Sequence, residues 1–205
     1  MITYIFGASD IEDYSYLKSI NFEGSYIICA DGGTKHLKEL NLIADVVIGD
    51  FDSSSDYKKY ENKITYPKEK DDTDLGLAIN YASDNDFNEC VGIGCLGNRL
   101  DHTYANIALL KYAFNKGVNL ELIDDNTKVF LVNEKKEILK EDFKYVSIFP
   151  FENNVKGINL TGFKYPLNEA TLTSDYPLGI SNEILDEKGI IEVNDGNLIV
   201  MLIKE

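Results

Sequence analysis

The residues of this chain best suited to chemistry are its aspartates, and they are not scattered. The apolar run 46–48 ends in Gly49-Asp50-Phe51-Asp52-Ser53, which sets two carboxylates at i, i+2, a compact clamp for a cation. Tyr26–Ala30 ends in Asp31-Gly32-Gly33, the run 64–66 leads to Lys70-Asp71-Asp72-Thr73-Asp74, and the run 90–95 leads to Gly97-Asn98-Arg99-Leu100-Asp101-His102. Carboxylates gathered on one rim raise one another's pKa and repel unless cations compensate. Hard oxygen donors favour Mg²⁺ or Ca²⁺ over zinc or copper, and Mg²⁺ is commonly shared between a few carboxylates and substrate phosphates. Metal-bound polyphosphate is the simplest cargo for such a rim, with Lys70, Arg99 and the metal as the available positive charges.

Each piece alone has a plainer reading. Asp31-Gly32-Gly33 makes a tight turn, Asp72, Thr73 and Asp74 can cap a helix and offset its dipole, and Asp101 sits in a first helical turn. The spacing around His102 leaves open whether it meets a substrate or only packs. Four such accidents at successive strand ends are a poorer account than one site.

The elements that must position these residues follow from hydrophobic period. Runs 2–6, Tyr26–Ala30, 46–48, 64–66, 90–95 and 120–123 read as short strands, with Tyr26–Ala30 of the kind buried on both faces and 46–48 also buried. Between them, helices are expected at 11–20, at Thr34–Leu40, at 73–82 with Leu75, Ala78, Ile79 and Ala82 on one face, and from Leu100 to a stop at Gly117. Such alternation predicts an α/β fold, a mostly parallel sheet with flanking helices, whose strand carboxyl ends share one edge where ligands bind. After residue 125 the character changes to short β runs at 128–132, 145–149, 157–161, 170–173, 190–193 and Leu198–Ile203, divided by turn signals. The expected organisation is an α/β nucleotide-binding domain over 1–125 and an all-β, sandwich-like domain over 126–205.

Composition excludes several classes. Lys and Arg number 20 against 35 Asp and Glu, a net charge of −15, so neither nucleic acid nor an anionic membrane is an expected partner. No apolar run approaches the length of a membrane span. Met1-Ile2-Thr3-Tyr4 lacks the order of a signal peptide, and Cys29, Cys90 and Cys95 lack metal spacing. A cytoplasmic protein with reduced thiols is the expectation. Gly92-Ile93-Gly94-Cys95-Leu96-Gly97 satisfies G-x-G-x-x-G, which keeps an NAD-dependent oxidoreductase as one alternative, yet it follows several strands rather than the first. A non-catalytic Mg-nucleotide sensor on the same rim is the other.

The sequence resembles thiamin pyrophosphokinases. The resemblance runs through Ala30-Asp31-Gly32-Gly33, Gly49-Asp50-Phe51-Asp52-Ser53, Lys70-Asp71-x-Thr73-Asp74, Gly94-x-x-Gly97-x-Arg99-x-Asp101-His102-x-x-Ala105-Asn106 and Gly179-Ile180-Ser181-Asn182-Glu183. It implies a cytoplasmic homodimer that transfers the pyrophosphoryl group of ATP to thiamin, giving thiamin diphosphate and AMP. It also implies a nucleotide-binding α/β domain followed by a thiamin-binding β-sandwich, with thiamin in a cleft between one subunit's α/β domain and the other's sandwich.

By the same resemblance, Asp50, Asp52 and Asp74 hold Mg²⁺, and Lys70, Asp71 and Thr73 serve the phosphates. Asp31, Gly32 and Gly33 line the path of the transferred group. Arg99, Asp101 and His102 face the nucleotide, and Ser181 and Asn182 face the thiamin pyrimidine. Catalytic roles fall to Asp31, Asp71 and Asp74, with Asp71 or Asp31 as proton acceptor. The chain has no Trp, which some relatives stack on that pyrimidine, so Tyr176 or another tyrosine is expected to substitute.

Overall fold

A computed structural model of the chain describes residues 1–49, 60, 62–65, 72–97, 99–151 and 154–205. It divides into two compact units, Met1–Asp125 and Asn126–Glu205.

In the first unit six strands pair in parallel: β1 (Thr3–Phe6), β2 (Tyr26–Ala30), β3 (Val46–Gly49), β4 (Lys63–Thr65), β5 (Glu89–Ile93) and β6 (Asn119–Ile123). Their order across the sheet is β4-β3-β2-β1-β5-β6. β1 and β3 are buried at every position, which is why their sequences run apolar without alternation. Tyr4, Phe6, Ile27 and Cys29 join Leu17 and Leu37 in one apolar cluster. The fully buried Ile5, Ile28 and Ile48 alternate with them and so face the other side of the sheet.

Helices α1 (Thr34–Leu40), α2 (Asp74–Asp84) and α3 (Leu100–Asn115) connect the strands. α2 packs on β1, β2 and β3 through the stripe that its sequence spacing predicts, with Leu75, Ala78, Ile79 and Ala82 all buried. The helix expected at 11–20 is a single 3₁₀ turn at Ser15–Ser19. The Asp13 carboxylate takes both the Ser15 amide (2.7 Å) and its hydroxyl (2.6 Å), and only Leu17 of that turn is buried, so no apolar stripe drives a longer helix.

The second unit is all-β. β13 (Leu198–Ile203) pairs antiparallel with β7 (Thr127–Val132) and with β9 (Tyr145–Pro150). A four-stranded antiparallel sheet carries β11 (Leu167–Thr173), β10 (Asn154–Thr161), β12 (Lys188–Glu192) and β8 (Lys135–Leu139), in that order. Phe130, Ile148 and Val200 from the first set meet Ile158, Leu172 and Ile191 from the second in one core, the arrangement of a sandwich.

Candidate active site

The strand order places the site. β1 and β5 are neighbours, yet the chain runs from β1 outward through β2, β3 and β4 before it returns to β5 on the other side. At such a reversal the loops leaving the strand carboxyl ends diverge, and a crevice opens between them. Here a crevice of about 570 Å³ is lined by Gly7, Ala8, Ser9 and Asp10 after β1, Ala30 at the end of β2, and Gly94 and Cys95 after β5. Asp72, Thr73, Asp74 and Leu75 at the start of α2 and Arg99, His102, Ala105 and Asn106 at the start of α3 complete it.

Two helix N-termini therefore reach one cavity, and the partial positive charge of each favours an anion there. Thr73 shapes the first: its backbone is extended and its Oγ1 accepts the Gly76 N–H at 3.1 Å, so the capping reading of this residue holds. At the second, the Arg99 guanidinium forks onto Asp101, with Nε 3.2 Å from Oδ1 and Nη2 2.6 Å from Oδ2. That hydrogen bonding brings the Asp101 carboxyl down to about 2 and raises the Arg99 pKa. Asn106 donates to the Cys95 carbonyl at 2.7 Å and ties α3 to the loop after β5.

The glycines of these loops serve close packing. A Cβ on Gly7 would fall 2.6 Å from the Gly94 oxygen, one on Gly33 would fall 2.4 Å from the Phe6 oxygen, and one on Gly97 would fall 2.9 Å from Ser9 Cβ. Gly92 is confined by Leu122 Cδ2 at 2.7 Å. The G-x-G-x-x-G spacing is thus explained by crowding at the switch point, from the Leu122 and Ser9 side chains at Gly92 and Gly97 and from the Gly7 carbonyl and His36 at Gly94, and gives no ground for a dinucleotide fingerprint.

Of the residues singled out by sequence, Thr73, Asp74, Arg99 and His102 line the crevice. Asp101 does not line it but grips Arg99, which does. Gly32 and Gly33 form a 3₁₀ turn with Asp31 directly after β2, and of Asp31 only the backbone is described. Asp50, Asp52, Lys70 and Asp71 lie outside the described residues. Among the described residues no group of three or more His, Cys, Asp or Glu side chains converges to hold a metal. The carboxylates on the crevice are Asp10, which is paired with Lys35, and Asp72 and Asp74 at the start of α2; such oxygen donors suit a hard cation that keeps waters and phosphate oxygens in its shell.

Sequence reasoning missed the 7–10 loop and Cys95. The loop follows the carboxyl end of β1, so the rule applied to the other strands finds it; its small residues drew no notice. Burial pushes the Cys95 thiol up to about 12, so it is a wall of the crevice and no nucleophile.

Comparison with known proteins decides the family. Residues 17–122 match the model of the thiamin pyrophosphokinase catalytic domain, and residues 135–198 match that of the thiamin pyrophosphokinase vitamin B1 binding domain. The chain belongs to the thiamin pyrophosphokinase family. The thiamine pyrophosphokinase of Bacillus subtilis (strain 168) is 32% identical over 182 residues, 85% of each chain. A crystal structure of thiamine pyrophosphokinase from Bacillus subtilis superimposes with a TM-score of 0.87 at 30% identity, covering 100% of this chain and 99% of that one. The thiamin pyrophosphokinase of Geobacillus thermodenitrificans gives 0.87 at 26% identity, covering 100% and 98%. The chain is accordingly an enzyme, a pyrophosphotransferase that forms thiamin diphosphate from thiamin.

In the part of this thiamin pyrophosphokinase family member that matches the vitamin B1 binding domain, Ser181 is exposed and holds a left-handed φ of 57°. Its N–H donates to the Ser147 hydroxyl at 3.0 Å. Asn182 is buried; its Oδ1 accepts from the Tyr165 and Glu183 amides, and its Nδ2 donates to the Tyr165 carbonyl at 2.8 Å. Much of its hydrogen-bonding capacity is therefore spent on the fold. Tyr176 is exposed.

Proposed function

We propose that the crevice at the β1/β5 reversal takes ATP as its magnesium complex, the polyphosphate lying across the N-termini of α2 and α3, and that AMP leaves as the thiamin hydroxyl attacks the β-phosphorus. The observation that carries this reading is the meeting of those two helix starts, one bearing Asp72 and Asp74 and the other Arg99, on a single cavity. Pyrophosphoryl transfer asks a protein mainly for positioning and charge neutralisation.

Asp74, with Asp50 and Asp52, would hold Mg²⁺, which when bound offsets charge on the phosphate oxygens. Arg99 contributes a planar fork for a phosphate, kept in place by Asp101, and His102 borders the same oxygens. Lys70, Asp71 and Thr73 support the phosphates, and Asp31 with Gly32 and Gly33 flanks the transferred group. Asp71 or Asp31 takes the proton from the thiamin hydroxyl. Ser181 and Asn182 face the thiamin pyrimidine.

Assembly as a cytoplasmic homodimer belongs to the same proposal. Leu100 and Tyr104 on α3, at 79% and 74% exposure, and Tyr165, Tyr176, Leu178 and Ile180 in the second unit are large apolar side chains in water, the kind of surface a second copy covers. The three cysteines are buried and form no disulfide, as suits a reducing compartment. Among the described residues no helix is long and apolar enough to cross a membrane.

Incubation with Mg-ATP and thiamin tests the reading: AMP and thiamin diphosphate should appear in equal amounts and only with a divalent cation. Nucleotide binding without AMP release would favour a sensor instead.

A further inference from the structure

His36 is the least exposed polar side chain near the crevice and has no place in the chemistry above. It sits on α1 at 0% exposure, and both of its ring nitrogens are engaged. Nε2 lies 2.8 Å from the Ser9 carbonyl oxygen and Nδ1 lies 2.7 Å from the Tyr14 hydroxyl. A carbonyl only accepts, so Nε2 carries the hydrogen, and Nδ1 is left to accept from Tyr14. The ring is neutral and in one tautomer.

The imidazole touches both loops of the reversal. Ser9 is pinned at both ends of its backbone: its N–H donates to the Gly94 carbonyl at 2.9 Å, and its own carbonyl receives the His36 proton. Gly94 has φ of +65°, and a Cβ there would fall 2.9 Å from His36 Nε2, so the ring occupies the space that the missing side chain leaves. Lys35, the neighbouring residue, forms an ion pair with Asp10 at the end of the same loop. α1 therefore holds the 7–10 loop at two successive points.

We infer that His36 is a positioning residue for nucleotide binding, its Nε2–H fixing the Ser9 carbonyl, and with it the spacing between the loops that follow β1 and β5. This rests on the reading of the crevice as the ATP site. His36 does not line the crevice, so its effect passes through Ser9 and Gly94, which do. The cost of losing it falls on ATP and spares thiamin.

Steady-state kinetics on the full chain, with each substrate varied in turn, test this. Loss of a buried hydrogen bond that shapes a site costs about five- to tenfold in the constant it governs. His36→Leu should raise KM for ATP by that factor and leave KM for thiamin within about twofold. His36→Gln, which restores an amide donor, should recover most of the loss. Tyr14→Phe, at a half-buried site, should raise KM for ATP by about threefold, and it carries the test if His36→Leu does not fold. The inference is overturned if KM for ATP stays unchanged in the foldable variants, if both KM values move by one factor, or if His36→Gln is as impaired as His36→Leu. Asp74→Asn separates the two claims. If Asp74→Asn is unimpaired, the reading of the site itself fails; if it is impaired and the His36 variants are not, only the role of His36 is lost.

Discussion

Arg99 holds Asp101 by two nitrogens of its guanidinium, and the two residues divide the work: Arg99 faces the crevice while Asp101 orients it from outside. Both side chains are about two-thirds exposed, so the pair matters for the direction of the fork and not for stability. Asp101→Ala should leave the melting temperature unchanged and raise KM for ATP by about threefold, with Arg99→Ala costing about ten times more. Arg99→Lys should resemble Arg99→Ala more than wild type, because a single ammonium cannot reproduce the fork. Kinetics on the three variants check the order.

Asn182 staples Tyr165 to the chain through backbone contacts at both ends of its amide. Asn182→Ala takes the acceptor from two part-buried N–H groups, of Tyr165 and Glu183, and the donor from the Tyr165 carbonyl, at a cost of about 2 kcal/mol in unfolding free energy. Chemical denaturation should show that loss even without thiamin present, since the staple belongs to the fold.

Burial, ahead of the repulsion from Lys35, lowers the His36 pKa to about 4 against an ordinary value of 6.5; the Asp10 carboxylate and the Ser9 carbonyl pull the other way, and Tyr14 donates to the ring. The unfolded chain thus binds a proton below pH 6.5 that the folded chain refuses until about pH 4. Stability is complete above pH 6.5 and falls as the pH drops towards 4, by ~3 kcal/mol at most. Unfolding curves should show this slope in wild type and a flatter one in His36→Gln. Hydrogen bonds to Lys35 and Lys188 lower the carboxyl pKa values of Asp10 and Glu137, so the small contribution of each is complete above the ordinary carboxylate range and is lost as the pH falls from there through the lowered pKa.

Cys90 and Cys95 are buried with thiols raised to about 12, and Cys29 is fully buried. A thiol reagent at neutral pH should modify none of the three in the native protein and all three after denaturation. Fast modification of Cys95 in the native state would show that the crevice opens further than this structure allows.

Much of the fold was readable from the chain because buried parallel strands leave unbroken apolar runs, as at Tyr26–Ala30, and because Asp74 and Gly117 mark helix ends. β8 was not, since Lys135, Lys136 and Glu137 are solvated and only Ile138 enters the core; a charged edge strand carries little hydrophobic signal. The strand expected over 90–95 stops at Ile93 because Gly94 turns left-handed to clear His36. At the site, Thr73, Asp74, Arg99 and His102 stood out by type and spacing. Gly7, Ala8 and Ser9 did not, since they act through backbone, and Asn182 showed its tie to Tyr165 only once the chain between them had folded back.

Turnover by Asp74→Asn, measured against wild type across a range of Mg²⁺ concentrations, most directly tests whether the carboxylate at the start of α2 serves metal-bound polyphosphate. The account expects a folded protein with at least about a hundredfold lower turnover, partly relieved by excess Mg²⁺. A variant that forms thiamin diphosphate at the wild-type rate, with the same Mg²⁺ dependence, would contradict it.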